Sequence, residues 1–283
     1  MWFKSRKWFD SVMASLVETN RISPLGDPLP GFPDEVTQRN TTGIAGRDTV
    51  EQAFSFYDDI IAGMKKGRVR TLDANSRVLD FGVGWGRVAR LFLERVRAAN
   101  IYGIDVDPEF VRLTQALFPG GNFKVCEPFP PSSFEGGTFD LISAYSVFSH
   151  LSESSTKAWF AEFSRILKPG GCVAFTTRDA TFFNYLSWAQ EQGDAVSGYT
   201  AALGSLFPDL ADARRRYEGG EFVHATSQGV SGGGVRNETF YGETFIPSAY
   251  IRKTFSDTFD VVAESFDGAR YDQRFFLLRK RHQ

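Results

Sequence analysis

Apolar positions along the chain follow two periods in alternation. Short runs read as buried strands: Val78-Leu79 leading into Asp80, Asn100 to Ile104, Phe123 to Cys126, Phe139 to Ile142 and Cys172 to Thr177. Between them the spacing becomes helical, over Val88 to Phe92, Glu109 to Phe118 and Ser155 to Leu167. The last two helices are stopped by Pro119-Gly120-Gly121 and Lys168-Pro169-Gly170-Gly171. Strand and helix in regular alternation predict an α/β fold with a doubly wound, mostly parallel sheet. Towards the end, Pro247 to Phe255 reads as a helix, and Phe259 to Phe266 and Arg274 to Leu278 as strands. Arg279-Lys280-Arg281 reads as a solvated tail.

Ahead of the first strand, Phe9, Val12, Met13, Leu16 and Val17 share one face of a helix. Lys4, Arg6 and Lys7 resemble the basic start of a signal peptide, but Asp10 and Glu18 break any apolar core, which argues against one. Packing on its own domain is the default for this helix; the other reading puts Trp2, Phe3 and Trp8 on a membrane surface or a partner. Residues 22–34 carry Pro24, Pro28, Pro30 and Pro33 and read as a linker or extended arm. Helix resumes at Asp48, where Ala53, Phe54, Tyr57, Ile60 and Ile61 repeat.

The candidate chemistry starts in Val78-Leu79-Asp80-Phe81-Gly82-Val83-Gly84-Trp85-Gly86-Arg87. A strand, a tight glycine turn and a helix start make a surface that backbone can bring against an anionic or nucleotide-like ligand. Arg87 stands where the dinucleotide fingerprint needs its last glycine, and no Gly-Lys-Ser/Thr ending makes a phosphate loop. The pattern instead resembles the first motif of class I S-adenosylmethionine (SAM) dependent methyltransferases. Further on, Phe139-Asp140-Leu141-Ile142, then Ser146-Val147-Phe148-Ser149-His150-Leu151, then Arg165-Ile166-Leu167-Lys168-Pro169-Gly170-Gly171 match a type 11/12-like subgroup of that family in order. The resemblance covers roughly residues 76–178.

It implies SAM as cofactor and a seven-stranded sheet with an antiparallel final pair. Asp80, Gly82, Gly84 and Gly86 would lie against the methionine part of SAM, and helices ahead of the first strand would cover its pocket. Asp105, with Val106, stands about 20 residues past the glycines, where doubly wound nucleotide folds place an acid for the ribose hydroxyls. Asp107, before Pro108, reads better as a helix N-cap. Glu127 and Phe129 fall where the family contacts adenine; the other reading is a rigid proline-rich turn. Arg87 either meets the SAM carboxylate or is a solvated first-turn residue.

Groups at the carboxyl ends of the fourth and fifth strands face the reacting centre in such sheets. His150 is the candidate general base, the alternative being a structural histidine that caps a helix or bonds a carbonyl. Tyr145 and Ser146 would orient acceptor and cofactor, or simply pack. Residues 180–245 depart from the core pattern and read as a lid or acceptor pocket with Gly229 to Gly234 as a mobile loop. His224, Arg236, Glu238, Tyr241 and Glu243 are polar there, and none receives a role. The expected organisation is a helical arm and cap over 1–70 and a SAM-binding domain over 71–283.

Composition narrows the partners. A net charge of -2 and scattered basic residues, apart from Arg214-Arg215-Arg216, give no footprint for nucleic acid. Cys126 and Cys172 lie apart in apolar runs, which suggests buried thiols and a cytoplasmic setting, and no spacing suggests a metal site. No stretch has membrane-spanning length, and a homodimer is compatible with the sequence. The expected activity is methyl transfer to a small-molecule or glycan acceptor, at oxygen in preference to nitrogen or carbon. The 28 Phe residues favour an apolar pocket. The competing readings are an N-methyltransferase, a degenerate methyltransferase fold kept as a binding module, and a nucleotide-dependent oxidoreductase, the last disfavoured by the glycine register.

Overall fold

The computed structural model describes residues 2–18 and 20–282, except for the side chains of residues 2–6. The suggested anchoring by Trp2 and Phe3 therefore lies outside the described residues. The centre is a seven-stranded sheet in the order β3-β2-β1-β4-β5-β9-β8. Its strands are β1 (Val78–Phe81), β2 (Ile101–Asp105), β3 (Asn122–Val125), β4 (Phe139–Ala144), β5 (Leu167–Arg178), β8 (Phe259–Ser265) and β9 (Gln273–Lys280). The first five are parallel, and β9 runs antiparallel between β5 and β8. β1 and the inner run of β4 are buried throughout, which is why both read as unbroken apolar runs.

The helices expected around the sheet form with small shifts at their ends. α4 (Pro108–Leu117) begins with the expected cap, the Asp107 side chain accepting from Glu109 N. α5 (Glu153–Ile166) is capped by Ser152 and packs Trp159, Phe160 and Phe163 under the sheet, while α9 (Ser248–Thr254) precedes β8. The turn after the glycines differs from expectation: Ala89–Glu94 is a 3-10 helix. Asp80 Oδ2 accepts from Ala89 N at 3.1 Å at its start. The closing basic residues also differ. β9 runs through Lys280, whose Nζ donates to Leu167 O, and Arg281 pairs with Asp260 at 2.9 Å.

Ahead of the sheet lie α1 (Trp2–Ala14), α2 (Glu35–Thr42) and α3 (Gly46–Lys66). Trp8, Phe9 and Val12 are buried in the same apolar cluster as Phe56, Ile60 and Phe92, so this end packs on its own fold. Trp8 Nε1 also donates to Leu91 O at 3.0 Å. The helix ends before Leu16, and Val17 is exposed, because the chain leaves the core there. α2 was not anticipated: it carries almost no apolar periodicity, and its signals are the Asp34 cap and the left-handed Gly43 stop. The proline-rich arm is pinned by Arg90, which donates to Gly31 O at 2.9 Å and sits 3.9 Å over the Phe32 ring.

Residues 180–245 fold into α6 (Phe182–Gln192), α7 (Gly198–Gly204), α8 (Leu210–Glu218) and a small antiparallel pair, β6 (Val223–Ala225) with β7 (Glu243–Phe245). They have their own apolar cluster, with Phe183, Leu203, Tyr217 and Phe245 at its centre. The segment expected to form a lid or acceptor pocket thus carries its helices in its first part, before the small strand pair. No described helix is long and apolar enough to cross a membrane.

Trp8→Ala is expected to cost about 3 kcal/mol of folding stability, since it removes a buried indole and strands the Leu91 carbonyl. Urea unfolding of the two proteins measures the difference; an unchanged midpoint would detach α1 from the core.

Candidate active site

At the carboxyl edge of the sheet a cavity of about 760 Å³ opens between β1, β2, β4 and the helices α2 and α3. Its floor is the glycine turn. Gly82 has φ +74°, and a Cβ there would stand 2.4 Å from Val147 Cγ2. Gly84, at φ +52°, has nothing within 4 Å of a notional Cβ, so the backbone at that point faces open space. Asp80 is fully buried. Its Oδ1 accepts from Ser143 Oγ at 2.8 Å, and burial lifts its pKa to about 7 against the pull of its hydrogen bonds.

Asp105 closes the loop from the β2 side. Its Oδ2 accepts from Gly84 N at 3.0 Å and its Oδ1 from Asp107 N at 3.0 Å. Burial raises its pKa, opposed by these N–H groups and by Arg236. Arg87 donates to Gln52 Oε1 at 2.8 Å and Thr49 Oγ1 at 3.1 Å on α3, and its guanidinium lies 4.9 Å from the Tyr145 ring centre. It is half-buried against the cavity and is not a solvated first-turn residue.

The far side is built where β4 ends. Ser146 has φ +59°, a strained value for a residue with a side chain. It is held by Ser146 N donating to Thr176 Oγ1, and by Gln273 Nε2 donating to Ser146 Oγ at 2.7 Å. Tyr145 OH is buried without a hydrogen-bond partner among the described residues, and burial raises its pKa.

Residues 149–152 then pair with the strand entering β7: Gly242 N donates to His150 O and Thr244 N to Ser149 O, both at 2.8 Å. This pairing sets the His150 ring flat on Tyr241, at 4.7 Å. Its Nδ1 lies 2.8 Å from Gly242 O and 3.2 Å from Glu243 Oε1. Glu243 is fully buried, its Oε2 accepting from Arg178 Nε at 2.8 Å and its Oε1 from Tyr199 OH. Burial would raise the Glu243 pKa, but Arg178 and His150 outweigh it and hold the carboxyl down at about 2. Arg178 also reaches Asp272 at 3.1 Å.

Of the residues expected from the sequence, Asp80, Gly82, Gly84, Arg87, Asp105, Val106, Tyr145, Ser146 and His150 line this one cavity. Gly86 sits beneath it. Glu127 and Phe129 do not line it; their neighbours Cys126 and Pro128 do, and Phe129 is exposed against Phe240. Sequence reasoning missed Gln52, Arg178, Gln273 and the roles of Tyr199 and Glu243. All are distant in the chain, and no local spacing marks them. Among the described residues no cluster of side chains fits a metal ion.

Comparison with known proteins agrees with this construction. A methyltransferase-domain family profile matches residues 78–171. An uncharacterized methyltransferase of Geobacillus kaustophilus is 29% identical over 167 residues, 56% of this chain and 70% of that protein. One of Bacillus thuringiensis is 24% identical over 152 residues, 53% of this chain and 68% of that one. Magnesium protoporphyrin IX methyltransferase from Synechocystis, solved with S-adenosylhomocysteine (SAH) bound, superposes with a TM-score of 0.52 over 87% of this chain and 93% of its own, at 16% identity. Residues 78–171 are thus similar to a methyltransferase domain on a fold shared with a SAH-bound methyltransferase, which supports a class I SAM-dependent methyltransferase with SAM as cofactor. The residues present fit that group, with an open glycine turn, an acid after β2 and an unpartnered tyrosine hydroxyl in one cavity.

Glu243→Gln leaves Arg178 without its buried counter-charge and is expected to lower stability at neutral pH by on the order of 3 kcal/mol. Because the folded carboxyl titrates below its ordinary 4.5, the stability it adds is complete above that pH and drains away as pH falls towards 2. Urea unfolding of both proteins at several pH values should show the gap closing on acidification; a gap independent of pH would contradict the assigned charge state.

Proposed function

We propose that the protein transfers the methyl group of SAM to a hydroxyl of a small-molecule or glycan acceptor, with His150 as general base. The observation that carries this reading is the His150 environment. A ring whose Nδ1 faces a carbonyl and a carboxylate carries its proton there, which leaves Nε2 as the basic nitrogen. SAM supplies a methyl already activated on a sulfonium, so the protein's task is to align the acceptor and take its proton. Glu243 stabilises the imidazolium that results. An oxygen acceptor has use for this arrangement, because a hydroxyl is a weak nucleophile until its proton is removed, whereas a neutral amine attacks without it.

The cofactor roles follow the cavity. The turn at Gly82, Gly84 and Gly86, above Asp80, holds the methionine part, with Arg87 and Tyr145 OH available to its carboxylate. Arg87 has no protein carboxylate as a close partner among the described residues, which suits that task. Asp105 takes the ribose hydroxyls: both oxygens already accept one N–H each, and each has a further lone pair. Val106, with Phe110, Cys126 and Pro128, bounds the adenine end, and Glu127 and Phe129 stand at its outer edge. Ser146 and its strained backbone set the wall between cofactor and acceptor. Residues 1–70 act as the cap, and 180–245 as the lid and acceptor wall.

The acceptor class is supported by the mouth of the site. A second hollow of about 420 Å³ shares Arg178, Tyr199 and Asp272 with the main cavity and adds Phe182 and Tyr185. Tyr185 and Trp188 are stacked at 5.3 Å and are both exposed, as is Tyr199. Flat apolar faces beside hydrogen-bonding groups suit a ring that carries hydroxyls.

Calorimetric titration with SAH is expected to give binding that Asp105→Ala loses by about 2 kcal/mol. Wild-type protein that fails to bind SAH would refute the cavity assignment. Against a panel of hydroxylated glycans and phenols, His150→Ala should bind SAH normally yet lose at least about 100-fold in methyl transfer. Transfer to tRNA or protein alone, or full activity in that variant, would overturn the acceptor and base readings.

A further inference from the structure

Arg236 is the cavity residue that neither the core fold nor the base accounts for. It follows the run Gly232-Gly233-Gly234, and its backbone N–H donates to Gly233 O at 3.1 Å, so a tight turn returns it towards the sheet. There its Nη2 lies 3.5 Å from Asp107 Oδ2, and its guanidinium carbon 5.5 Å from the centre of the Phe110 ring. Both contacts lie at the start of α4, just past Asp105, which ends β2. Its Nε is shielded from solvent and has no hydrogen-bond partner among the described residues. A buried donor with no acceptor is disfavoured unless something else fills the place. The side chain lines the main cavity, so the acceptor can come from a bound molecule.

We propose that Arg236 is a cofactor-binding residue supplied by the segment 180–245, its Nε–H donating to an oxygen of the ribose in the adenosine part of SAM. The inference rests on reading the main cavity as the SAM site. Two features select adenosine over the methionine end. Arg236 is anchored on Asp107 and Phe110, beside the acid assigned to the ribose, whereas Arg87 stands at the glycine turn. A guanidinium paired with Asp107, whose charge also favours the ionised Asp105, eases the repulsion of the two carboxylates beside the ribose. The consequence is a composite cofactor site, in which the acceptor-side segment closes on the ribose edge through Arg236 and braces His150 through Glu243.

The test titrates wild type, Arg236→Ala, Arg236→Lys and Asp107→Asn with two probes, SAH and 5'-methylthioadenosine, which keeps the adenosine but has no amino-carboxylate. Arg236→Ala is expected to weaken both probes by about tenfold with an unchanged melting temperature in their absence. Arg236→Lys should not restore affinity, because lysine keeps the charge opposite Asp107 without the Nε–H. Asp107→Asn preserves the helix cap and should weaken the probes less than Arg236→Ala. Affinity within twofold of wild type in Arg236→Ala overturns the proposal, as does a loss confined to SAH. Full rescue by lysine reduces Arg236 to a point charge, and an equal loss in Asp107→Asn reduces it to a latch; either result overturns it. Wild type that binds neither probe brings down the cavity assignment and this inference with it, whereas wild-type binding unaffected by Arg236→Ala brings down this inference alone.

Discussion

A guanidinium and a carboxylate buried together, Arg178 at the end of β5 and Glu243 at the start of β7, join the sheet to the segment packed on its carboxyl edge. Neither charge could stay in that interior alone, because removal from water costs each of them several kcal/mol that only a close, well-directed partner returns. The position of β7 therefore depends on β5, and with β7 go Tyr241 and Gly242, which set the plane of the His150 ring and the partner of its Nδ1. Tyr199 completes the enclosure from α7 by donating to the same carboxylate. One buried pair thus carries the geometry of this side of the cavity.

The cofactor side rests on a different kind of constraint. Its loop is held by acceptors: Asp80 takes the N–H that opens the 3-10 turn, and Asp105 takes the N–H groups of Gly84 and Asp107. Backbone donors tied to fixed carboxylates give a preshaped surface, so a ligand meets a loop whose ordering has already been met by folding. Ser146, strained at positive φ, is the seam between the two sides, and Thr176 and Gln273 keep it there.

Much of the cofactor side is legible from neighbouring residues, since strand, turn and helix occupy one continuous stretch from Val78 to Phe92. Its acid is legible too, because one crossover places Asp105 beside Gly84 in any right-handed parallel fold. The 3-10 form of the helix was not legible: Asp80 imposes it through a bond from a strand to the turn. α2 escaped because a mostly polar helix has no apolar stripe to reveal it. The internal structure of residues 180–245 was not legible for a related reason. Their apolar residues cluster with one another, so they follow no period set by the sheet.

The sequence by itself determined the α/β alternation, the methyltransferase motif and the residues that stand around the glycine turn. Each of these depends on local periodicity, on backbone freedom at particular glycines, or on a single crossover whose hand is constrained. Only the tertiary structure decided that His150 has Glu243 behind it, that Arg178 and Gln273 belong to the site, and that Arg236 reaches the exit of β2. Those partners lie 65 to 129 residues apart in the chain, as Arg178 and Glu243 or Asp107 and Arg236 show. Contacts of that range arise from which apolar faces must be buried together and from the need of each buried charge for a counter-charge, and no repeat or motif along the chain records them.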